Sequence, residues 1–303
     1  MKSFVANEND AGQRLDKYIL KIADIPKGLL YKYLRTGHIK VNKKKKDGNY
    51  VLLPGDTIAF FIDDSFFKGA KEEQEFANSD FSLDVVFENE DILIINKPAA
   101  LKSQPDKKGE AALSEYVKAY LKDKGEYNPL LENTFSPAIC NRLDVNTSGL
   151  IIAAKNAEAL RIINEKIKNR EIKKFYRCIV SGTPGKKADI LTGYIIKDKA
   201  KNVSEIIKTE KKGSLSVKTG YKVLKSNEKA SLLEVELFTG RSHQIRAHMA
   251  SIGHPLLGDF KYGGGKGTQK LCAFRLLFDF TADSGKLDYL KGKVFEIREP
   301  FSL

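Results

Sequence analysis

The chain has 303 residues, 42% of them hydrophobic, and a formal net charge of +13, so it can bury a sizeable core in one large domain or two ordinary ones and favours polyanions, nucleic acid ahead of an anionic membrane surface. No apolar run approaches the roughly 20 residues of a membrane span, and the first ten residues lack the apolar centre of a secretion signal, so a cytoplasmic protein without membrane contacts is expected. Cys140, Cys178 and Cys272 are widely separated and share no metal-ligand spacing with one another or with the four histidines, which predicts reduced, buried thiols and no metal.

The first segment, residues 1–67, reads as a small basic domain. Leu15, Tyr18, Ile19 and Ile22 fall at i, i+3, i+4 and i+7, one face of an amphipathic helix. A second helix after Pro26 buries Leu30, Tyr33 and Leu34 and stops at Gly37, a residue suited to the left-handed cap position. Lys32 and Arg35 share its other face. Strands are predicted at Ile39–Asn42, Tyr50–Leu53 and Thr57–Ile62, the last two joined by the Pro54-Gly55-Asp56 turn. Between Gly12 and Gly48 stand eleven Lys or Arg against Asp16, Asp24 and Asp47, so much of the positive charge collects here, including the run Lys43, Lys44, Lys45, Lys46. Taken alone that run reads as a solvated loop.

Residues 68–80 hold only Ala70, Phe76 and Ala77 as apolar positions and read as a solvated linker. The remainder, 81–303, forms a second domain. Its strands are predicted at Leu83–Phe87 and Ile92–Asn96, a hairpin around Glu88-Asn89-Glu90-Asp91, then at Leu150–Ala154, Phe175–Val180, Ser216–Leu224, Ser231–Phe238 and Leu271–Phe280. Helices are predicted at Ala111–Lys122, at Ala157–Lys168 with Leu160, Ile163 and Ile167 inward, and at His243–Ile252. Strands that follow one another without intervening helices favour a mixed, largely antiparallel sheet, hence an α+β fold.

Several kinds of site are unsupported. Gly258 and Gly263 have P-loop spacing, but Gly264 stands where the lysine belongs, so no nucleotide cofactor is expected. Ser148 lacks the glycines of a nucleophile elbow, and His243 and His248, five apart, fall on different sides of a helix rather than forming a zinc pair. What remains is Asn141-Arg142-Leu143-Asp144-Val145-Asn146-Thr147-Ser148-Gly149, a polar loop feeding an apolar strand, where a carboxylate can be held at a cleft floor. Ordinary turn chemistry explains that loop equally well in isolation. A second segment runs from Leu237 through Thr239-Gly240-Arg241-Ser242-His243-Gln244-Ile245-Arg246 to His254-Pro255 and Gly258-Asp259. Here Ile245, Met249 and Ile252 face the core and Arg246 lies at the border of that face. Solvent-exposed Arg241 and His243 with a snorkelling Arg246 would be its bland reading.

Together the two segments resemble the RluA family of pseudouridine synthases, which carries a His-Arg-Leu-Asp-x-x-Thr-Ser-Gly-Leu run and, about a hundred residues on, Thr-Gly-Arg-Thr/Ser-His-Gln-Ile/Leu-Arg-x-His ending in His-Pro-x-x-Gly-Asp. Lys174-Phe175-Tyr176 and Ile95-Asn96-Lys97-Pro98 match further family features, and Asn141 departs from the usual His. Arg14-Leu15-Asp16, the basic helix, Gly37 to Asn42 and Pro54-Gly55-Asp56 resemble the alpha-L, S-four type RNA-binding motif of ribosomal proteins. The resemblance implies a pseudouridine synthase fold with a central catalytic cleft and the isomerisation of uridines in RNA, large-subunit ribosomal RNA ahead of transfer RNA, without any cofactor, by a monomer. A ribosome-assembly factor that keeps the fold without the reaction is the alternative. The resemblance further implies Asp144 as nucleophile, attacking carbon six of uracil or the anomeric carbon, with Arg246 as the cation that orients it and Tyr176 against the uracil of a flipped nucleotide. Arg142, Arg241 and His243 would contact RNA at the cleft, and Lys32, Arg35, Lys43, Lys44 and Lys45 would hold its backbone.

Overall fold

The computed structural model describes residues 1–67, 81–107, 109–198 and 200–303. The linker expected at 68–80 lies outside the described residues.

Residues 2–67 form a unit with its own core. Strand β1 (Lys2–Val5) leads to helices α1 (Leu15–Ile22) and α2 (Lys27–Thr36), then β2 (Ile39–Val41) and β3 (Thr57–Phe60), in a three-stranded sheet of order β1-β3-β2. Leu15, Tyr18, Ile19 and Ile22 of α1 and Leu30 and Leu34 of α2 are buried against Ile39, Val41, Ile58 and Phe60, while Tyr33 is half-buried. Gly37 ends α2 at φ +83°, its N–H returning to the Tyr33 and Leu34 carbonyls. Tyr50–Leu53 is not a strand: only Val51 bridges, to Arg14, because this segment's backbone is used to hold the entry to α1, Tyr50 accepting from Leu15 and Leu52 from Gly12.

The rest of the chain builds β4 (Val85–Glu88), β5 (Ile92–Lys97), α3 (Leu113–Asp123), β6 (Ala138–Ile139), β7 (Ser148–Ala154), α4 (Ala157–Lys168), β8 (Ile172–Ser181), β9 (Ala188–Asp198), β10 (Val203–Ile207), β11 (Leu215–Ser226), β12 (Ala230–Leu237), α5 (Gln244–Ser251), β13 (Leu271–Phe278) and β14 (Val294–Glu296). Eleven strands make one mixed sheet of order β10-β9-β11-β12-β8-β13-β7-β5-β4, with β6 on β7 and β14 on β13. Among the described residues only β7 and β13 pair in parallel, at Ser148–Cys272 and Gly149–Ala273. This is the α+β class that the strand pattern predicts.

All seven residues of β7 are buried, as its continuous apolar run requires of a central strand. One face of the sheet packs Leu93, Ile95, Ile151, Tyr176, Val180, Leu233 and Val235 against α3 and α5, through Leu113, Val117, Ile245 and Met249. The other packs Ile94, Ile152, Leu276 and Phe278 against α4. Among the described residues no helix is long and apolar enough to cross a membrane.

Candidate active site

The loop from Asn141 to Thr147, between β6 and β7, is pinned at every second residue. The Asn141 amide donates to the Leu150 carbonyl and accepts from Ile152 N–H at 2.8 Å. Leu143 N–H donates to Ser103 Oγ, which in turn donates to the Leu143 carbonyl. The Val145 carbonyl accepts from Lys97 Nζ, and Thr147 Oγ1 from Gln269 Nε2. Between the pins, Arg142 is exposed and the Asp144 side chain is 31% exposed, so the loop offers a carboxylate to solvent on a rigid base. Gly149 makes the close approach of β7 to β13 feasible: its φ is +117°, and a Cβ there would stand 2.3 Å from the Ala273 carbonyl oxygen.

Lys97, at the end of β5, is fully buried, and its ammonium donates to the carbonyls of Pro98, Leu101 and Val145. Burial pushes its pKa down to about 8, opposed by the Asp144 charge. One cation thus ties the start of one loop to the residue after Asp144, a function legible in the sequence only as part of Asn96-Lys97-Pro98.

Helix α5 carries the other half. It is buried nearly all round, from Gln244 to Met249, rather than on one stripe. Gln244 donates to Thr219 Oγ1 and the Lys218 carbonyl and accepts from Thr239 and Arg241 N–H, while His248 Nδ1 lies 2.7 Å from Thr219 Oγ1. These braces lock α5 onto β11. Burial pushes the His248 pKa down to about 4, so this ring is a neutral structural group.

Arg246, expected at the border of the buried face, is 6% exposed. Its Nη1 donates to Asp144 Oδ2 at 3.0 Å, and its Nε and Nη2 donate to the two oxygens of Asp259 at 2.6 and 2.8 Å. Asp259, itself 2% exposed, completes a line of carboxylate, guanidinium and carboxylate whose only accessible end is Asp144. A bidentate fork fixes the guanidinium plane as well as its position. Asp259 is held by the glycine-rich turn: Gly258 sits at φ +76°, and a Cβ there would stand 2.2 Å from the Thr268 carbonyl oxygen.

His243 comes closer to Asp144 than an exposed cap would. It adopts φ +57° at the start of α5, a left-handed conformation that costs a non-glycine residue on the order of 1 kcal/mol or more and concentrates at functional sites. Its Nε2 lies 3.7 Å from Asp144 Oδ2 and its Nδ1 3.0 Å from the Tyr262 hydroxyl. That hydroxyl also accepts from Ser204 N–H at 2.7 Å, and in its bond to Nδ1 either group can be the donor, depending on the ring tautomer. Burial lowers the His243 pKa, against the raising effect of Asp144. The Tyr262 ring also lies 4.9 Å from the Arg246 guanidinium carbon.

Tyr176, on β8, is 6% exposed, and its pKa is raised by burial and by the Asp144 charge. The structure therefore brings Asp144, Arg246, His243 and Tyr176 together, adds Lys97, Asp259 and Tyr262, and leaves Arg142 and Arg241 exposed beside them. Lys32, Arg35, Lys43, Lys44 and Lys45 are exposed on the N-terminal unit. Asn141, at the position of the usual His, is a buried brace of β7. Two surface hollows lie elsewhere. One, of ≈580 Å³, is ringed by Glu88, Glu90, Glu126, Lys124 and Lys155, of which the two lysines pair with Glu88 and Glu126; the other, of ≈520 Å³, lies on the face of the sheet behind Tyr176, between Phe175, Ile190 and Phe238.

Residues 91–251, just over half of the chain, match the RNA pseudouridylate synthase family. An RNA pseudouridine synthase of Mycoplasma capricolum is 34% identical over 99% of this chain and 98% of its own. The chain belongs to this family. It is an RluA-type pseudouridine synthase, an enzyme that isomerises uridine to pseudouridine in RNA. The ribosomal large subunit pseudouridine synthase C of Vibrio parahaemolyticus is 29% identical over 85% of the chain and 78% of its own. Among solved structures, human RNA pseudouridylate synthase domain containing 4 shares the fold, with a TM-score of 0.57 at 18% identity, over 71% of this chain and 88% of that one.

Both motif segments of the synthase, Asn141–Gly149 and Thr239–His248, fall inside the matched region, whereas Asp259 and Tyr262 fall after it. In the sequence Asp259 is the last residue of the His254-Pro255 to Gly258-Asp259 motif and carries no role of its own. Tyr262 had no signal, since neither periodicity nor spacing connects it to Arg246 or His243.

Proposed function

We propose that Asp144 is the nucleophile of this synthase and that its substrate is large-subunit ribosomal RNA. The observation that carries the first part is the line Asp259–Arg246–Asp144, which presents one carboxylate oxygen at a fixed position with the cation on one side and the neutral His243 ring on the other. The ionised oxygen attacks carbon six of uracil or the anomeric carbon. The bond between N1 and the ribose breaks with its electron pair on the base, the base turns, a bond forms from carbon five to the anomeric carbon, and the bond to Asp144 breaks with its electron pair returned to the carboxylate. Carbon five then loses its proton and N1 ends protonated, so nothing is gained or lost overall. Tyr176, beneath the loop, supplies an apolar face for the uracil and, with the Asp144 charge near it, is placed to take part in that proton transfer. Arg142 and Arg241 hold flanking phosphates, and a flipped nucleotide suits a site of this depth.

The ribosomal substrate is supported by the names of the relatives that span most of the chain and by the exposed cations of the N-terminal unit, which we read as an S-four type RNA-binding domain over residues 1–67 followed by a catalytic domain over 81–303. The synthase then works as a cytoplasmic monomer. Asp144→Asn tests the nucleophile: with RNA carrying tritium at carbon five of uracil, label release should cease while RNA affinity is kept. Turnover above roughly a tenth of wild type would overturn it, since loss of a nucleophile removes several decades of rate. Pseudouridine mapping in ribosomal RNA from cells with and without the protein tests the substrate, and a site lost only from transfer RNA would replace it.

A further inference from the structure

The N-terminal unit carries an uncommon residue for a domain surface. Asp10 is fully buried, and each of its carboxylate oxygens meets a side chain of the other domain. Its Oδ2 accepts from Asn133 Nδ2 at 2.6 Å and its Oδ1 from Thr134 Oγ1 at 2.7 Å. Around it, Asn9 Nδ2 donates to Glu132 at 2.7 Å, and Asn9 Oδ1 accepts from the N–H of Ala157, the first residue of α4. That bond satisfies an orphan donor of a helix N-terminus across a domain boundary. Arg161, on the next turn of α4, donates to the Ala11 carbonyl at 3.0 Å.

These contacts are directional and mutually dependent, so they define one relative placement of the two domains. A nonspecific apolar contact would allow sliding; a buried carboxylate with two side-chain donors does not, because any shift costs it both of them and leaves it the Asn7 N–H alone. The clasp meets the catalytic domain at Ala157, just beyond the C-terminal end of β7, whereas Asp144 precedes the N-terminal end of the same strand. Six residue steps of about 3.3 Å put roughly 20 Å of strand between the two. The cations Lys32, Arg35, Lys43, Lys44 and Lys45 make none of the clasp contacts and stay exposed.

We infer that the clasp of Asp10 with Asn133 and Thr134 makes the basic N-terminal domain a fixed anchor that selects the target uridine by its distance from the gripped RNA. The inference rests on reading residues 1–67 as RNA-binding. Asp10, Asn133 and Thr134 are specificity-determining residues in this scheme and touch no reacting atom. An anchor held rigidly admits few uridines to the cleft, while a loosely tethered one samples many and engages each at lower effective concentration.

Spin labels at Lys27→Cys and Glu165→Cys, both at exposed positions, read the geometry. The otherwise unaltered full chain should give one narrow distance distribution, and Asp10→Ala/Asn133→Ala should broaden it. Because Asp10→Ala also removes a turn contact to Asn7 within its own domain, Asn133→Asp serves as an independent disruption that leaves the N-terminal domain untouched and sets a like charge against Asp10. On total ribosomal RNA lacking the modification, both variants should raise KM roughly tenfold at nearly unchanged kcat and spread pseudouridine over additional sites. A broad distribution in the unaltered chain overturns the inference, and so does an unchanged site profile in variants whose distribution has broadened. Replacing the five anchor cations by Gln without loss of RNA binding would instead sink the RNA-binding reading of the domain, while a narrow distribution would still show the clasp.

Discussion

Asp259 is the residue at which the site is most sharply testable, because it is buried behind Arg246 and yet fixes the group that meets Asp144. Replacing it by Ala removes both bonds of the fork, at 2.6 and 2.8 Å, and leaves Arg246 in a 6% exposed position with the partly solvated Asp144 as its one counter-charge. Removing one partner of a buried pair costs about 3–5 kcal/mol; the surviving 3.0 Å bond to Asp144 brings the expectation to about 3 kcal/mol. For a domain of this size that is a fall of roughly 6–12 °C in Tm. Asp259→Asn keeps the shape and one acceptor and should cost about half as much.

The decisive readout is kinetic. Freed from the fork, the guanidinium follows Asp144 and rotates, and a displacement of about 1 Å at a reacting group lowers rate by roughly a hundredfold. Tritium release from carbon five, measured well below the new Tm, should therefore show kcat down by one to two decades for Asp259→Ala with KM changed little. A kcat within roughly threefold of wild type, in a variant that shows the expected loss of Tm, would mean that Asp259 serves folding alone and that the line of three charges is not what prepares the proposed nucleophile.

The remaining predictions concern the same site and its surroundings. His243 has a lowered pKa, so its ring stays neutral through pH 7 and protonates only below its ordinary value near 6.5; at 3.7 Å the imidazolium then pairs with Asp144, and kcat should fall on an acid limb that His243→Gln abolishes. An identical acid limb in both proteins would exclude His243 as its source. Gly149→Ala places a Cβ 2.3 Å from a backbone oxygen at φ +117° and should destabilise the protein by about 4 kcal/mol or more, well above an ordinary substitution, which calorimetry would detect as a loss of Tm or of soluble protein. Lys43, Lys44 and Lys45 replaced together by Gln should reduce the slope of log affinity against log salt by about 2 if each meets one phosphate, and an unchanged slope would remove them from the RNA contact.

What the sequence discloses and what it hides follow from how each element is stabilised. Strands β7, β8, β12 and β13 are legible because they are buried and apolar, and α4 begins and ends where its pattern does, with Asn156 capping Ala159 N–H. The hairpin of β9 and β10 was missed: β9 is mostly exposed or half-exposed along its length and mixes apolar and polar residues on both faces, so period-two alternation is absent. β1 is four residues long with a half-exposed pattern and is defined by its pairing with β3, a contact across more than fifty residues that local pattern does not encode. Helix α5 is the instructive case. Its apolar positions predict one buried stripe, yet Gln244, Arg246 and His248 are buried too, each because a partner on another element, Thr219, Asp259 or Asp144, meets it there. Burial of a polar side chain is a property of the pair, and a single sequence shows only one member at a time.

The same reasoning explains why the departure at Asn141 is compatible with an intact loop. In this fold the position is a brace: the side chain offers one acceptor to Ile152 N–H and one donor to the Leu150 carbonyl, closing the loop onto β7. A neutral imidazole also carries one donor and one acceptor, on nitrogens of the same ring, so Asn and His can satisfy comparable demands from a buried backbone, whereas an aliphatic residue would leave both groups unpaired in the interior at a cost of about 1–3 kcal/mol each. The loop's geometry depends on hydrogen-bonding capacity at residues 141, 143, 145 and 147 and not on the identity of any one of them. Of the residues between the pins, only Asp144 meets the Arg246 guanidinium.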